Sequence, residues 1–320
     1  MKRRAVLGAM LALGLADRAS AQAYPTRPIK LVVPFTPGGV TDNIARVFCE
    51  RMGRELGQQF IIDNRAGANG RIGTDAVAKS APDGYTLLLG GIGALTIHPH
   101  MLKVPYDPVN DFIPISLIAT NDVVIVINPK LSPRTPAELI AYLKANPGKL
   151  QYGSSGIGAP THLAAELFKS RIGADMIHVP YKGDSAAVMD VVSGTVDMSF
   201  STVSATISLI RGGKLRPIAM TGLVRSQSLP DVPTLGESGI PGFDLSSWWG
   251  IVGPAGMPPE VVNTLNAAIN KTLNSPEIGK FMASEGAEAQ AMTPQQFSDL
   301  IHTEIQRWTK VGHDANISID

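Results

Sequence analysis

Three times within the first hundred residues, a short apolar run ends in proline or glycine and gives way to a stretch with helical spacing. The runs are Ile29-Lys30-Leu31-Val32-Val33-Pro34, Phe60-Ile61-Ile62-Asp63-Asn64 and Tyr85-Thr86-Leu87-Leu88-Leu89-Gly90-Gly91. Residues 41–56 follow the first, opened by Thr41-Asp42-Asn43, which is capping chemistry. Residues 73–79 follow the second, after the spaced glycines Gly67, Gly70 and Gly73. Strand, glycine loop and helix in repetition dictate an α/β chain with a parallel sheet wound by right-handed crossovers. In such a sheet the carboxyl ends of the strands, where these loops fall, are the places a ligand can sit.

The alternation continues through the middle of the chain. Residues 113–119 and 123–128 read as two strands separated by Thr120-Asn121-Asp122, a first crossing between lobes. Residues 137–145 form a helix with Thr135 and Pro136 at its start. Leu150-Gln151-Tyr152-Gly153 is a strand, residues 161–172 a helix, and residues 176–179, 185–193, 198–200 and 207–210 carry the pattern into 217–221. This stretch holds its own complete βα set and so reads as a second domain. Residues 245–253, with Trp248 and Trp249, read as the return crossing, the two indoles packing at the junction. Helices over 259–273, 277–285 and 293–311 return to the first lobe. With 320 residues, two domains fit better than one. The expected division is 24–122 plus 249–320 for one lobe and 123–248 for the other.

Before residue 24 the pattern is different in kind. Met1-Lys2-Arg3-Arg4, an apolar stretch over 5–16 and Ala19-Ser20-Ala21 make the three parts of an export signal spanning 1–21. The apolar part is shorter than the roughly 20 residues needed to cross a bilayer. A mature chain starting at Gln22 or Tyr24, periplasmic and soluble, is therefore expected; Arg3-Arg4 leaves twin-arginine and general export both open. Cys49 stands alone, so no internal disulfide can form, and its apolar neighbours Ile44, Val47, Phe48 and Met52 mark a buried thiol. With 28 basic against 27 acidic residues, nucleic acid is not indicated as a partner.

Two loops carry the candidate chemistry. Phe35-Thr36-Pro37-Gly38-Gly39-Val40-Thr41-Asp42 and Gly153-Ser154-Ser155-Gly156-Ile157-Gly158 each follow a strand and open a helix. Backbone N–H groups at a helix start, with the positive end of its dipole, suit an anion. Enzyme signatures fail. The second loop lacks the fifth-position glycine of a nucleophile elbow, no phosphate-binding loop is complete, and His98-Pro99-His100 reads as loop histidines rather than a metal site. No cofactor or metal is expected. His162 is placed either to line the cleft or to cap and pack. Asn64 is placed to face a ligand, with Arg65 holding the loop. Lys182, in Tyr181-Lys182-Gly183-Asp184, is either a carboxylate partner or a solvated tip.

The ordered motifs Val33-Pro34-Phe35-Thr36-Pro37-Gly38-Gly39, Asn64-Arg65-Ala66-Gly67, Pro82-Asp83-Gly84-Tyr85-Thr86-Leu87, Pro105-Tyr106-Asp107-Pro108, Asn146-Pro147-Gly148-Lys149-Leu150, Gly153-Ser154-Ser155-Gly156, His178-Val179-Pro180-Tyr181-Lys182-Gly183 and Leu229-Pro230-Asp231-Val232-Pro233-Thr234 resemble the landmarks of the Bug family. These are periplasmic receptors of the tripartite tricarboxylate transporter type, and the likeness runs from residue 24 to 311. It implies a two-lobe periplasmic-binding-protein fold with a central cleft and two crossings, closing on a small carboxylate-bearing molecule, with no catalysis. The carboxylate would be held by Phe35, Pro37, Gly38, Gly39 and Thr41 on one side and by Ser154, Ser155, Gly156, Thr161 and His162 on the other. Asp42, Asn64 and Lys182 are further candidates, and Gly91, Ile92, Gly93, Ser201 and Thr202 are the candidates for the far end.

Two departures from the family pattern stand out. Ala159 replaces a usual hydroxyl residue. Ser201-Thr202 stands where many members have Asp-Asn, which predicts an uncharged-tail or dicarboxylic ligand over an amino acid. The implied partners are the ligand and membrane transporter subunits. A sensor kinase in their place, or an exported hydrolase using the same cleft, are the alternatives. The receptor is expected to be a monomer.

Overall fold

The computed structural model describes residues 24–314; the expected export signal at 1–21 and Gln22 lie outside them. Strand β1 (Ile29–Val33) alternates its side chains, with Ile29, Leu31 and Val33 going to one core and Val32 to another. Helix α1 (Val40–Leu56) lays Ile44, Ala45, Phe48, Cys49 and Met52 on the first of these cores and stops at the left-handed Gly57. Next come β2 (Phe60–Asn64), α2 (Arg71–Ala78) and β3 (Thr86–Gly91). Both β2 and β3 pair with β1 in parallel, giving the strand order β2-β1-β3. A π-helical turn (Gly93–Ile97) then leads into α3 (His98–Met101). His98 is thus helical and buried, not a loop residue.

The middle third repeats this arrangement. Strand β4 (Phe112–Ile127) and α4 (Pro136–Ala145) are followed by β5 (Gln151–Ser154), α5 (Pro160–Ile172), β6 (Ile177–Pro180), α6 (Asp184–Ser193), β7 (Met198–Thr202), α7 (Val203–Arg211) and β8 (Arg216–Met220). Strand β5 lies between β6 and β7, parallel to both, so the local order β6-β5-β7 matches that of the first triplet. The chain returns through β9 (Ser246–Pro254) and ends with α8 (Pro259–Leu273), α9 (Pro276–Ser284), the short β10 (Glu288–Ala289) and α10 (Pro294–Asp314).

The sequence pattern suggested two strands interrupted at Thr120-Asn121-Asp122; the protein instead runs one strand of 16 residues through them. The polar residues stay in the ladder because distant elements pair with them. Thr120, Asn121 and Asp122 oppose Trp248, Ser247 and Ser246 of β9, and Thr120 also opposes Glu288 of β10. From Val123 onward β4 changes neighbours and pairs with β7 and β8. Likewise residues 246–254 are a full strand of the first sheet rather than a free linker. One long strand therefore belongs to both halves, and a hydrophobic cluster extends across it, from Val32 and Leu88 through Trp248 and Phe297 to Ile125, Tyr152 and Phe200. Trp248 meets Phe297 edge-on, with ring centroids 5.5 Å apart.

Candidate functional site

The candidate residues lie in the loops at the carboxyl ends of the parallel strands. The loop after β1 is built around Asp42, whose side chain is almost fully buried. Its Oδ2 accepts the Gly38 N–H at 2.9 Å and the Arg46 Nε–H at 2.9 Å, and its Oδ1 accepts Asn64 Nδ2–H at 2.9 Å. Burial alone pushes this carboxyl upward, but Arg46, the Gly38 amide and Asn64 together hold it below its ordinary value. Asn64 also donates to the Phe35 carbonyl at 3.2 Å and accepts from Arg46, so its amide is fully engaged in shaping the loop. The loop is held by Asn64 and not by Arg65, which pairs with Asp63. Pro37 and Gly38 are exposed, while Phe35, Gly39 and Thr41 are half-buried. Gly38 has φ +79°, a backbone that a side chain would strain.

The second loop is organised by three histidines from three different elements. Ser154 is fully buried, with its Oγ 2.7 Å from His178 Nε2, and it accepts the Gly156 N–H at 3.2 Å. The Ser155 N–H donates to Thr161 Oγ1 at 3.0 Å, and the two hydroxyl oxygens of Ser155 and Thr161 lie 2.8 Å apart. The Gly158 N–H donates to His162 Nδ1 at 3.2 Å, and the Gly158 carbonyl accepts from His98 Nε2 at 3.1 Å. His162 and His178 stack with centroids 4.1 Å apart, and His178 stacks in turn on Tyr152 at 4.8 Å. Burial holds the His178 pKa at about 4, aided by the neighbouring His162, and burial does the same to His98, also about 4. His162 is lowered for the same first reason. All three rings are therefore neutral at pH 7. Ser154 and His178 thus form a hydroxyl–imidazole pair buried beneath the loop.

The two halves meet directly through this loop. His98, just past β3, bonds to Gly158, and Asn69, just past β2, donates to the Ile157 carbonyl. Since β1 lies between β2 and β3, the loop after β1 emerges beside these contacts. Helices α1 and α5, which begin at the two loops, have no side-chain cap, as is also true of α2, α6, α7 and α8, whereas Thr135 caps α4 and Ser275 caps α9. The first-turn amides of α1 and α5 are thus left without side-chain partners.

At the far end, Gly91 is the last residue of β3, opposite Trp249, and Gly93 lies against His98 and Pro160. Ile92 is buried. Ser201 is buried and bonded to Ser199 at 3.0 Å. Thr202 donates its hydroxyl at 2.8 Å and its N–H at 3.2 Å to Asp184 Oδ2. Lys182 is exposed and makes no ion pair among the described residues. Ser201 and Thr202 themselves offer no acid to a ligand ammonium. Asp184 returns an acid to that corner from a different element.

Four residues of this region escaped the sequence reading: Asn69, His98, His178 and Asp184. His178 could have been found from register, because it opposes Tyr152, the residue just before the second glycine loop begins. Asp184 had a weaker signal, an acid at the first position of a helix. Asn69 and His98 act only between the two halves, and no local pattern encodes that. Among the described residues no cluster of three or more His, Cys, Asp or Glu side chains is placed to hold a metal.

Comparison with known proteins agrees with this architecture. A family model described as "Tripartite tricarboxylate transporter family receptor" matches residues 44–317. Protein BugT of Bordetella pertussis is 41% identical over 98% of this chain and 98% of its own. The R. palustris protein Rpa4515, solved with adipate, superposes with a TM-score of 0.86 at 36% identity, over 92% of this chain and 99% of that one. MatC from Rhodopseudomonas palustris, solved with bound malate, superposes with a TM-score of 0.82 at 31% identity, over 90% and 99% of the two chains. The α/β fold is that of the periplasmic solute-binding proteins. The chain belongs to the tripartite tricarboxylate transporter receptor family, whose members bind and deliver solutes rather than transform them.

Proposed function

We propose that this receptor captures a small carboxylate in the gap between its halves, taking residues 24–122 with 249–320 as one lobe and 123–248 as the other. The observation that carries the reading is the pair of uncapped helix starts, α1 and α5, at the two glycine loops. Gly39 and Thr41 on one side and Thr161 and His162 on the other would supply backbone N–H and hydroxyl donors to a shared anion, while the Gly38, Ser155 and Gly156 amides are spent on shaping their own loops. Phe35 and Pro37 would flank it, while Asp42, Asn64 and Ser154 hold the loops in shape. Neutral histidines suit this design, because a carboxylate bound by amide dipoles keeps its charge compensated without a buried cation. The adipate and malate found in two relatives support the same ligand class.

Export, work in the periplasm as a monomer, and delivery to membrane transporter subunits complete the reading. Among the described residues no helix is long and apolar enough to cross a membrane. Binding that bridges both lobes would favour the closed arrangement and so present a new surface to a membrane partner.

Native mass spectrometry of the purified mature protein, followed by melting-temperature measurements with mono-, di- and tricarboxylates, tests the proposal. Stabilisation by at least one acid is expected. A protein that no acid in the series stabilises, and that carries no acid on purification, would overturn it.

A further inference from the structure

The corner where α6 begins holds a carboxylate whose two oxygens are treated differently. Asp184 Oδ2 takes the Thr202 hydroxyl and N–H. Asp184 Oδ1 is out of solvent and has no partner at all. Burial pushes the Asp184 carboxyl above its ordinary range, while the Thr202 hydroxyl and N–H and, after them, the Ser155 hydroxyl favour its charged form; Ser155 closes no hydrogen bond of normal geometry to Oδ1.

The bonds on the Oδ2 side have a forced direction. An amide NH2 can only donate, so Asn121 Nδ2–H gives to Ser204 Oγ at 2.9 Å. The Ser204 hydroxyl then gives to Thr202 Oγ1 at 3.1 Å, and the Thr202 hydroxyl gives to Asp184. Every hydrogen in the chain points toward Asp184, which makes that carboxylate the terminal acceptor. No lysine or arginine is among the groups that bias it. A buried acceptor left unpaired is costly, and a ligand is the natural source of its missing donor.

The position fits a ligand's tail. Asp184 follows β6, Thr202 ends β7, and Ser155 follows β5, so all three lie at the carboxyl ends of the parallel triplet. Ser155 also belongs to the loop assigned above to the anchoring carboxylate, which sets Asp184 beside that anchor.

Resting on the receptor reading, we propose that Asp184 is a specificity-determining residue whose Oδ1 accepts a hydrogen bond from a hydroxyl or ammonium on the ligand. The receptor would then select hydroxy- or amino-substituted carboxylic acids over their unsubstituted counterparts. A second ligand carboxylate aimed at this corner would instead meet like charge.

The test is calorimetric titration of the full mature protein at pH 7.5 with matched acids: succinate, malate and aspartate; glutarate, 2-hydroxyglutarate and glutamate; adipate and 3-hydroxyadipate. In at least one set the donor-bearing acid is expected to bind tenfold or more tightly than its plain counterpart. In Asp184→Asn that ratio is expected to shrink at least fivefold. Equal binding within every set, tighter binding of the plain acids, or an unchanged ratio in the variant would overturn the inference while leaving the receptor reading intact. If no acid in any set binds, the inference falls, and the receptor reading is decided by the wider series of mono-, di- and tricarboxylates. The wild-type comparison decides the matter even if the variant fails to fold.

Discussion

His98 reaches from one half of the molecule to donate its Nε2–H to the Gly158 carbonyl of the other, 3.1 Å away. The same glycine gives its N–H to His162, so its peptide is held from both sides. Gly158 has φ +75°, which exempts this corner from the strain a side chain would bring. The arrangement fixes both tautomers: His98 carries its proton on Nε2, and His162 presents a bare Nδ1.

Replacing His98 by alanine leaves the buried Gly158 carbonyl without its donor. A loss of about 1–3 kcal/mol of stability is expected from that alone, with further loss from the emptied ring volume. Urea unfolding of the ligand-free protein measures it. If the contact helps hold the halves together, small-angle scattering of the variant shows a larger radius of gyration. A variant as compact and as stable as the parent would show that the contact is incidental.

Acid should destabilise this fold earlier than carboxylate titration alone would. His98 and His178 are held near pKa 4 in the folded chain, well below the ordinary histidine value, chiefly by burial. The unfolded chain therefore binds more protons between about pH 6.5 and 4, and stability falls as pH drops through that window. The limit is about 1.4 kcal/mol per pH unit for each ring at full effect, and less for His178, which is only half-buried. Denaturation midpoints at pH 7.5, 6.0 and 5.0 should decline, with a shallower decline in His98→Gln. A flat profile over this range would contradict the burial argument.

The recurring βα units and both glycine loops were legible in the sequence because their signals are local: apolar runs of strand length, glycine or proline at their ends, helical spacing after them. The continuity of β4 was not, since Thr120-Asn121-Asp122 looks like a turn until its partners more than a hundred residues away are known. Asn64 was recognised as a site residue, but its role inside the loop depends on Asp42 and Phe35, which only folding brings to it. Asp184 was passed over because its significance lies in what it lacks, a partner for Oδ1.

Cys49 offers a check on the first core. It sits on α1 among Ile44, Phe48 and Met52, buried, and burial pushes its thiol well above the ordinary value. The native protein is expected to resist an aromatic disulfide reagent for as long as it stays folded, and to react fully in denaturant. Stoichiometric labelling within minutes under native conditions would mean that α1 opens readily. Cys49→Ala should cost stability, because it removes buried volume from that core.

Asp42 gives the sharpest separation between shaping the site and touching the ligand. Its carboxylate collects the Gly38 amide, Arg46 and Asn64, leaving no oxygen free for a solute. Asp42→Asn keeps the shape of the side chain but replaces one acceptor oxygen with an NH2 group, which cannot accept from Gly38 and Arg46 if it lies on their side, nor from Asn64 if it lies on the other. A stability loss of about 1–3 kcal/mol is expected. A larger proportional fall in carboxylate affinity is expected too, because the Gly38–Thr41 backbone would no longer be pre-set for the anion. Asn64→Ala removes the same anchor from its other end and should produce the same pair of effects. In a double variant the losses should fall short of the sum, since the two residues share one network. Strict additivity would show that Asp42 and Asn64 act independently, and the preorganised-loop account of the site would have to be given up.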